Sequence, residues 1–316
     1  MSIVVTGASG AFGRMVTELL LQRVPASELI LVTRKPGTLA AVTERGARVR
    51  YGDFDNQDSL VTAFAGARKM LLISTLDVGE RRRRQHRAAI EAAVSAGVEH
   101  IVYTSSTGIH PRSPAFVIAD HLDTEETLRK SGVAFTFLRD SQYAEVIATM
   151  IAPMAIAAGQ WFSSGADGAM AFVSKQDCVA SAATVLTTPG HEGAVYEITG
   201  PELLSFKDAA RIAAEVTGRP IEFVSLTHDQ MQARFDVAGI PRRYTEGMFN
   251  EATGPWASEE MMSYERAIRE GYFAICSRHV QLLTGRPAVS LRDVFAAAHR
   301  HQDGIDHPVS RPVTKP

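Results

Sequence analysis

Cysteine is nearly absent, charge of either sign is barely in excess, and no long hydrophobic run occurs. The 316 residues include only Cys178 and Cys276, with no Cys-x-x-Cys pair and no cluster, which excludes a disulfide-stapled fold and suits a reducing compartment. Lys and Arg number 33 against 35 Asp and Glu, a formal net charge of -2, so the chain has no bulk attraction to nucleic acid or to an anionic membrane. No apolar stretch approaches the roughly 18 residues of a membrane span. Met1 to Thr6 runs straight into a strand-like segment, without a basic leader or a cleavage site, and the cytoplasm is the expected compartment.

What is present is an alternation, in a chain of ordinary globular composition (45% hydrophobic, 22% charged). Short β-branched runs lie at Ile3 to Thr6, Leu29 to Thr33, Arg48 to Tyr51, Lys69 to Ser74, His100 to Ser105 and Val133 to Arg139. Helical patterns separate them, near Phe12 to Gln22, Thr38 to Arg45, Asp58 to Phe64, Gln85 to Ala96 and Asp120 to Lys130. Strands apolar through most of their length belong in a parallel sheet covered on both faces. The spacing therefore predicts a Rossmann-type, doubly wound α/β domain over residues 1–143.

After Tyr143 the rhythm changes. A helix from Ala144 to Ala158 leads to a glycine-containing loop at Gly165 to Gly168. Short strands follow around Ala169 to Val173, Ala194 to Thr199 and Ile221 to Leu226, between helices near Asp177 to Thr187, Phe206 to Thr217 and Asp229 to Ala238. This reads as a smaller α/β lobe over residues 144–301 that forms a cleft with the first, some of its segments returning to the first sheet. Met248 to Phe273, with Trp256 and Tyr264, either lines a hydrophobic opening or is ordinary helical core. The polar, Pro-rich stretch 302–316 predicts a mobile tail.

The segment Thr6-Gly7-Ala8-Ser9-Gly10-Ala11-Phe12-Gly13 joins a strand to a helix through glycines spaced three apart. In such a turn Gly7 permits the tight reversal, Gly10 lets backbone N–H groups approach a pyrophosphate, and Gly13 allows close helix–strand packing; the helix dipole then faces the phosphates. The second strand ends in Thr33-Arg34-Lys35, where two cations and no carboxylate favour an adenosine 2′-phosphate. The expected cofactor is NADPH, with NADH an alternative, and a solvated basic turn is the competing explanation of Arg34 and Lys35. Beyond the third strand Asp53 offers a carboxylate to an adenine amino group, with Phe54 near the ring; Asp53 can also cap the helix that starts near Asp55.

The Tyr-x-x-x-Lys pair of alcohol–ketone chemistry is missing, since no tyrosine has a lysine four residues later. On the helix that would carry it the sequence is Ala119-Asp120-His121-Leu122-Asp123-Thr124-Glu125. His121 is the group there able to titrate near neutrality, as an active-site residue or as a surface or capping histidine. Cys178 and Cys276 lack an obvious base and Ser105-Ser106 lacks a nucleophile elbow, so hydrolase chemistry falls away, and no metal is required. Arg81 to Arg84 form a run of four cations that a helix would point in all directions, and a solvated helix start is expected.

With these features in hand, the chain resembles the NmrA-like, atypical short-chain dehydrogenases, most closely bacterial NAD(P)H:quinone oxidoreductases of type 2 and triphenylmethane reductases. The likeness is carried by Val24-Pro25-Ala26-Ser27, Leu71-Leu72-Ile73-Ser74, Val78-Gly79 with Gln85-His86, Ala96-Gly97-Val98, Val102-Tyr103-Thr104-Ser105, Ala119-Asp120-His121 with Thr124-Glu125, and Phe137-Leu138-Arg139 with Tyr143. It continues into Gly190-His191-Glu192-Gly193 and Val195-Tyr196, and the pattern departs after about Arg242.

The resemblance implies cofactor contacts from Gly7 to Phe12, Arg34, Ile73, Ser74, Thr75, Thr104, Ser105, Leu138, Arg139, Asp140, Ser141 and Tyr143. It places Tyr103 and His121 near the nicotinamide end, with Tyr143 a third candidate catalytic group. The implied reaction is NADPH-dependent reduction of a quinone or similar conjugated acceptor in the cleft between lobes. An NADP(H)-binding sensor without turnover and a reductase of aromatic or lignan-type substrates are the alternatives. The expected partner is a small aromatic or quinone-like molecule, with no nucleic acid or membrane, and a homodimer is an admissible assembly.

Overall fold

The structure, a computed structural model, describes residues 2–245 and 257–305. Strands β1 (Ile3–Val5), β2 (Leu29–Thr33), β3 (Arg48–Tyr51), β4 (Lys69–Leu72), β5 (His100–Ser106) and β6 (Ala134–Asp140) alternate with helices. These helices are α1 (Ala11–Leu21), α2 (Ala40–Glu44), α3 (Gln57–Phe64), α4 (Glu80–Ser95) and α5 (Phe116–Lys130). Beyond them come α6 (Ala144–Val146), a single wide turn at Ile147–Ile151, α7 (Ala152–Ala158), β7 (Gln160–Ser163), β8 (Ala169–Met170), α8 (Lys175–Thr187), β9 (Val195–Ile198) and β10 (Leu204–Ser205). The described chain closes with α9 (Phe206–Thr217), β11 (Glu222–Ser225), α10 (His228–Val237), α11 (Ser258–Arg269), α12 (His279–Thr284) and α13 (Leu291–Ile305).

One parallel sheet runs β3-β2-β1-β4-β5-β6-β9, the doubly wound arrangement that the alternation predicts. Successive residues of a strand face opposite sides. Val4, Ile30, Val32, Met70, Leu72 and Ile101 therefore fill one core with residues of α3 and α4. Ile3, Val5, Leu29, Leu31, Leu71 and Val102 fill the other with residues of α1, α8 and α12. Burial on both faces, about 1.5–3 kcal/mol for each large side chain, is why the strands read as continuous apolar runs.

α8, β9 and α12 join the sheet even though they follow Tyr143 in sequence. The rest of the later chain builds its own core around Trp161, Phe172, Phe206, Ile268, Phe273 and Phe295, beside the two-stranded pairs β7–β11 and β8–β10. Strands β7 and β10 have no counterpart in the sequence reading, and β10 is only two residues long. α9 occupies the predicted span because Ser205 and Asp208 form a reciprocal cap at its start, while Gly218 ends it in a left-handed conformation.

α4 and α5 start earlier than predicted, and the four arginines lie inside the first two turns of α4, where arginine is a good helix former. α13 runs through Ile305, so residues 302–305 are helical rather than a mobile tail, and 306–316 lie outside the described residues. Of Met248 to Phe273, residues up to Trp256 also lie outside them. Beyond these, Met262 and Phe273 are buried, and Tyr264 packs 4.5 Å from the Phe273 ring, an ordinary core. Among the described residues no helix is long and apolar enough to cross a membrane.

Candidate active site

Strand order reverses between β1 and β4, and in open α/β sheets the crevice at the carboxyl ends of such a switch point receives ligands. The glycine turn fills that position. Gly7 has φ +59°, and a Cβ on Gly13 would sit 2.4 Å from the Gly7 carbonyl oxygen and 2.7 Å from Ala8 Cα, so α1 meets β1 too closely for any side chain. α1 starts at Gly10 with no side-chain cap and no acidic residue in its first turn, leaving its leading N–H groups and dipole available to an anion. Thr6 ties this turn to β4, its hydroxyl donating to Leu71 O at 3.1 Å and accepting from the Ile73 N–H at 3.0 Å.

Across the turn, Ser9 and Thr33 share a hydroxyl hydrogen bond of 2.7 Å, and the Thr33 hydroxyl accepts from the Lys35 N–H at 3.1 Å. Arg34 and Lys35 are exposed, and Arg34 makes no hydrogen bond or ion pair among the described residues. Its charge contributes to holding the Asp55 carboxyl low, after the opposing effect of burial and the closer bonds from Arg81 and Gln85. The cap of α3 is Asn56, which accepts from the Ser59 N–H at 3.2 Å; Asp53 instead turns its Oδ1 to the Asp55 N–H at 3.1 Å. The helix starts at Gln57 with Asn56 before it, which takes Asp53 out of the capping position. Phe54 packs against the nearer core.

Further along the crevice, the Ser74 N–H donates to the Thr104 hydroxyl at 2.9 Å and the Thr75 N–H to His86 Nε2 at 3.1 Å. His86 therefore carries its proton on Nδ1, which donates to the Thr124 hydroxyl at 2.9 Å. Burial, then the charge of Arg82, pushes His86 down to about 3. Beside it the Tyr103 hydroxyl and His121 Nδ1 are 2.7 Å apart, with Tyr103 fully buried and His121 6% exposed. Burial raises the Tyr103 phenol. Burial, then Arg82 and His86, holds His121 well below the usual imidazole range, so both histidines are neutral.

Arg82 corrects the expectation of a solvated arginine run. It is 4% exposed, it donates from Nε to the Asp77 carbonyl, and its place one turn before His86 puts both on the inward face of α4. Arg82 and His86 were not singled out as chemistry in the sequence. The signal available was their i, i+4 spacing on a helix whose opposite face is charged.

At the far end Leu138 is buried in the core shared with α8. The side chains of Ser105 and Arg139 are committed elsewhere: the Ser105 hydroxyl donates to Glu125 at 2.7 Å, and Arg139 grips Glu125 at 2.9 and 2.8 Å and Glu197 at 3.0 Å. Asp140 accepts from the Tyr143 hydroxyl at 3.1 Å and lies beside the Cys178 thiol, and among the described residues its buried Oδ1 has no hydrogen-bond partner. Burial pushes Asp140 up to about 7, against the pull of Tyr143 and Cys178. Cys178 thus does have a carboxylate neighbour. Burial followed by that carboxylate drives the thiol up, the reverse of nucleophile activation.

The Ser141 N–H donates to Ile198 O at 2.9 Å, while the buried hydroxyls of Ser141, Thr75 and Thr107 have no hydrogen-bond partner among the described residues. Buried polar atoms are normally satisfied. A glycine cradle at one end and orphaned polar atoms towards the other fit a ligand that is phosphorylated in its middle and polar at its tip, as a nicotinamide dinucleotide is. Among the described residues no group of His, Cys, Asp and Glu could hold a metal ion.

The fold and this crevice define a Rossmann-type oxidoreductase that uses NAD(P)H. Residues 7–158 match an NAD(P)H-binding family model. Quinone oxidoreductase 2 of Escherichia coli is 35% identical over 240 residues, which cover 76% of this chain and 82% of that protein. A crystal structure of the NADPH-dependent quinone oxidoreductase from Escherichia coli complexed with NADPH superposes with a TM-score of 0.84 at 30% identity, covering 94% and 99% of the two chains. The Citrobacter sp. triphenylmethane reductase complexed with NADP(H) does so with a TM-score of 0.82 at 29% identity, covering 94% and 100%. The chain belongs to the NmrA-like, NAD(P)H-binding family of oxidoreductases.

Proposed function

We propose that the protein reduces quinones or similar flat conjugated acceptors with NADPH, and that the acceptor lies in the crevice beside Tyr103 and His121. The observation that carries this reading is the 2.7 Å Tyr103–His121 pair, buried at the carboxyl edge of the sheet where no Tyr-Lys couple exists. When bound, NADPH would supply the hydride; a quinone then takes one proton from water to become the hydroquinone, whereas a cationic dye is reduced by the hydride alone. The N–H groups of Ala11 and Phe12 would hold the pyrophosphate, Arg34 the 2′-phosphate, Asp53 and Phe54 the adenine, and the buried polar groups of Thr75, Asp140 and Ser141 the nicotinamide end.

His121 is a neutral donor. In this reading Tyr103 donates to Nδ1, which leaves the Nε2–H of the neutral imidazole to donate to the acceptor oxygen and favour the charge that grows there. Tyr103 fixes that tautomer. Residues 1–143, with α8, β9 and α12, form the cofactor half; the remainder of 144–301 shapes the acceptor side.

The support from relatives is that the similar proteins are named for quinone and triphenylmethane dye reduction. The test mixes purified protein with NADPH and a panel of quinones and triphenylmethane dyes, reading the loss of nicotinamide absorbance. Turnover with at least one acceptor is expected, and His121→Ala is expected to lower kcat by about tenfold or more while NADPH affinity changes far less. NADPH binding with no turnover across the panel would return the sensor reading, and an unchanged kcat in His121→Ala removes the donor role.

A further inference from the structure

A cavity of about 520 Å³ opens between the starts of α4 and α5, within the range of small-molecule sites. Its wall is close in the chain to the candidate active site: Ala119 and Asp120 immediately precede His121 on α5, and Asp120 Oδ2 ties that helix to the start of α4 by accepting from the Gly79 N–H at 2.7 Å. Part of its surface is apolar. Val78 and Ala119 lie beside Phe116, which is 51% exposed, a flat face open to a conjugated ring.

The rim is basic. Arg81, Arg83 and Arg84 come from one turn of α4, and the first two are paired: Arg81 with Asp55 at 2.7 Å, Arg83 with Glu80 at 3.1 Å and with Asp120 at 3.4 Å. The carboxylates of the wall are engaged as well. Glu80 also meets Arg87 at 3.4 Å, and Glu260 accepts from the Ala257 N–H at 3.1 Å. Arg84 is exposed and makes no hydrogen bond or ion pair among the described residues.

A guanidinium is the group best shaped for a planar or trigonal cluster of anionic oxygens, and it is weakly enough hydrated to release water for one. From this geometry we propose that the cavity is the outer part of the acceptor site and selects conjugated acceptors that carry a sulfonate, carboxylate or phosphate, the anion meeting Arg84 and the ring lying on Phe116. The proposal rests on the reductase reading above and names its substrate class.

The test compares menadione with a naphthoquinone sulfonate as acceptors, in the wild type and in Arg84→Glu, and measures in parallel the binding of naphthalene sulfonate to the NADP-loaded protein by calorimetry. In the variant, the ratio of kcat/KM for the sulfonated over the neutral quinone should fall by about tenfold, and in the wild type it should fall as salt rises. Naphthalene sulfonate should bind the wild type and lose about tenfold in affinity in Arg84→Glu. An unchanged ratio, or binding that ignores the substitution, overturns the proposal. If neither quinone is reduced, the reductase reading fails by itself, and the calorimetric arm still decides whether the cavity takes an aromatic anion through Arg84.

Discussion

At the scale of single residues, charge and burial decide the roles. Arg34 is exposed and makes no hydrogen bond or ion pair among the described residues, the condition of a guanidinium kept for a ligand, and a charged hydrogen bond to a phosphate is worth about 1.5–3 kcal/mol. Arg34→Ala should raise KM for NADPH by about tenfold or more and leave KM for NADH nearly as it was; equal effects on both cofactors count against the assignment. Asp140 predicts a pH dependence. Its folded value is raised, to about 7, so the folded protein keeps a proton that the unfolded chain has already lost. Its contribution to stability is therefore present at low pH and lost as pH rises from about 4 to about 7. Asp140→Asn keeps the shape without the charge and should flatten that part of the stability profile measured by denaturant titration, and an unaltered slope would deny the assignment.

Legibility at this scale was uneven. The glycine turn and Arg34 stand out in the sequence because glycine spacing and cations without a carboxylate at a strand end are local properties. Arg82, His86 and the Asp140–Tyr143–Cys178 group do not, because their roles depend on which helix face turns inward and on strands that meet only in three dimensions.

At the scale of elements, α5 is held to β5 and β6 by a buried charge. Glu125 is fully buried and receives Ser105, Arg139 and Arg129, the last at 3.0 Å. Removing one member of a buried ion cluster leaves the others uncompensated. Glu125→Ala should cost about 3–5 kcal/mol in unfolding free energy, and a loss under about 1 kcal/mol would mean that the cluster is not a structural tie. Because the same helix carries His121, the tie also fixes where that side chain stands. Strands and helices of the first half were readable since each has a clean period of its own. β7 and β10 were not, because two to four residues paired with distant partners leave too little periodicity to see.

At the scale of the whole molecule, the order of the parallel strands places the switch point, the glycine turn and the Tyr103–His121 pair on one edge. That topology was legible from the βα alternation. The return of later segments to the sheet was expected as well; which of them return, β9 and α8, was not legible, since membership of a sheet depends on tertiary pairing. The central claim is that hydride passes from NADPH to a conjugated acceptor on this edge. Its most direct test is single-turnover oxidation of bound NADPH by menadione, with the transferred hydrogen at the nicotinamide C4 replaced by deuterium. The account predicts menadione-dependent loss of the nicotinamide absorbance, slowed several-fold by the deuterium; bound NADPH that menadione leaves unoxidised, or that is oxidised with no isotope effect, would contradict it.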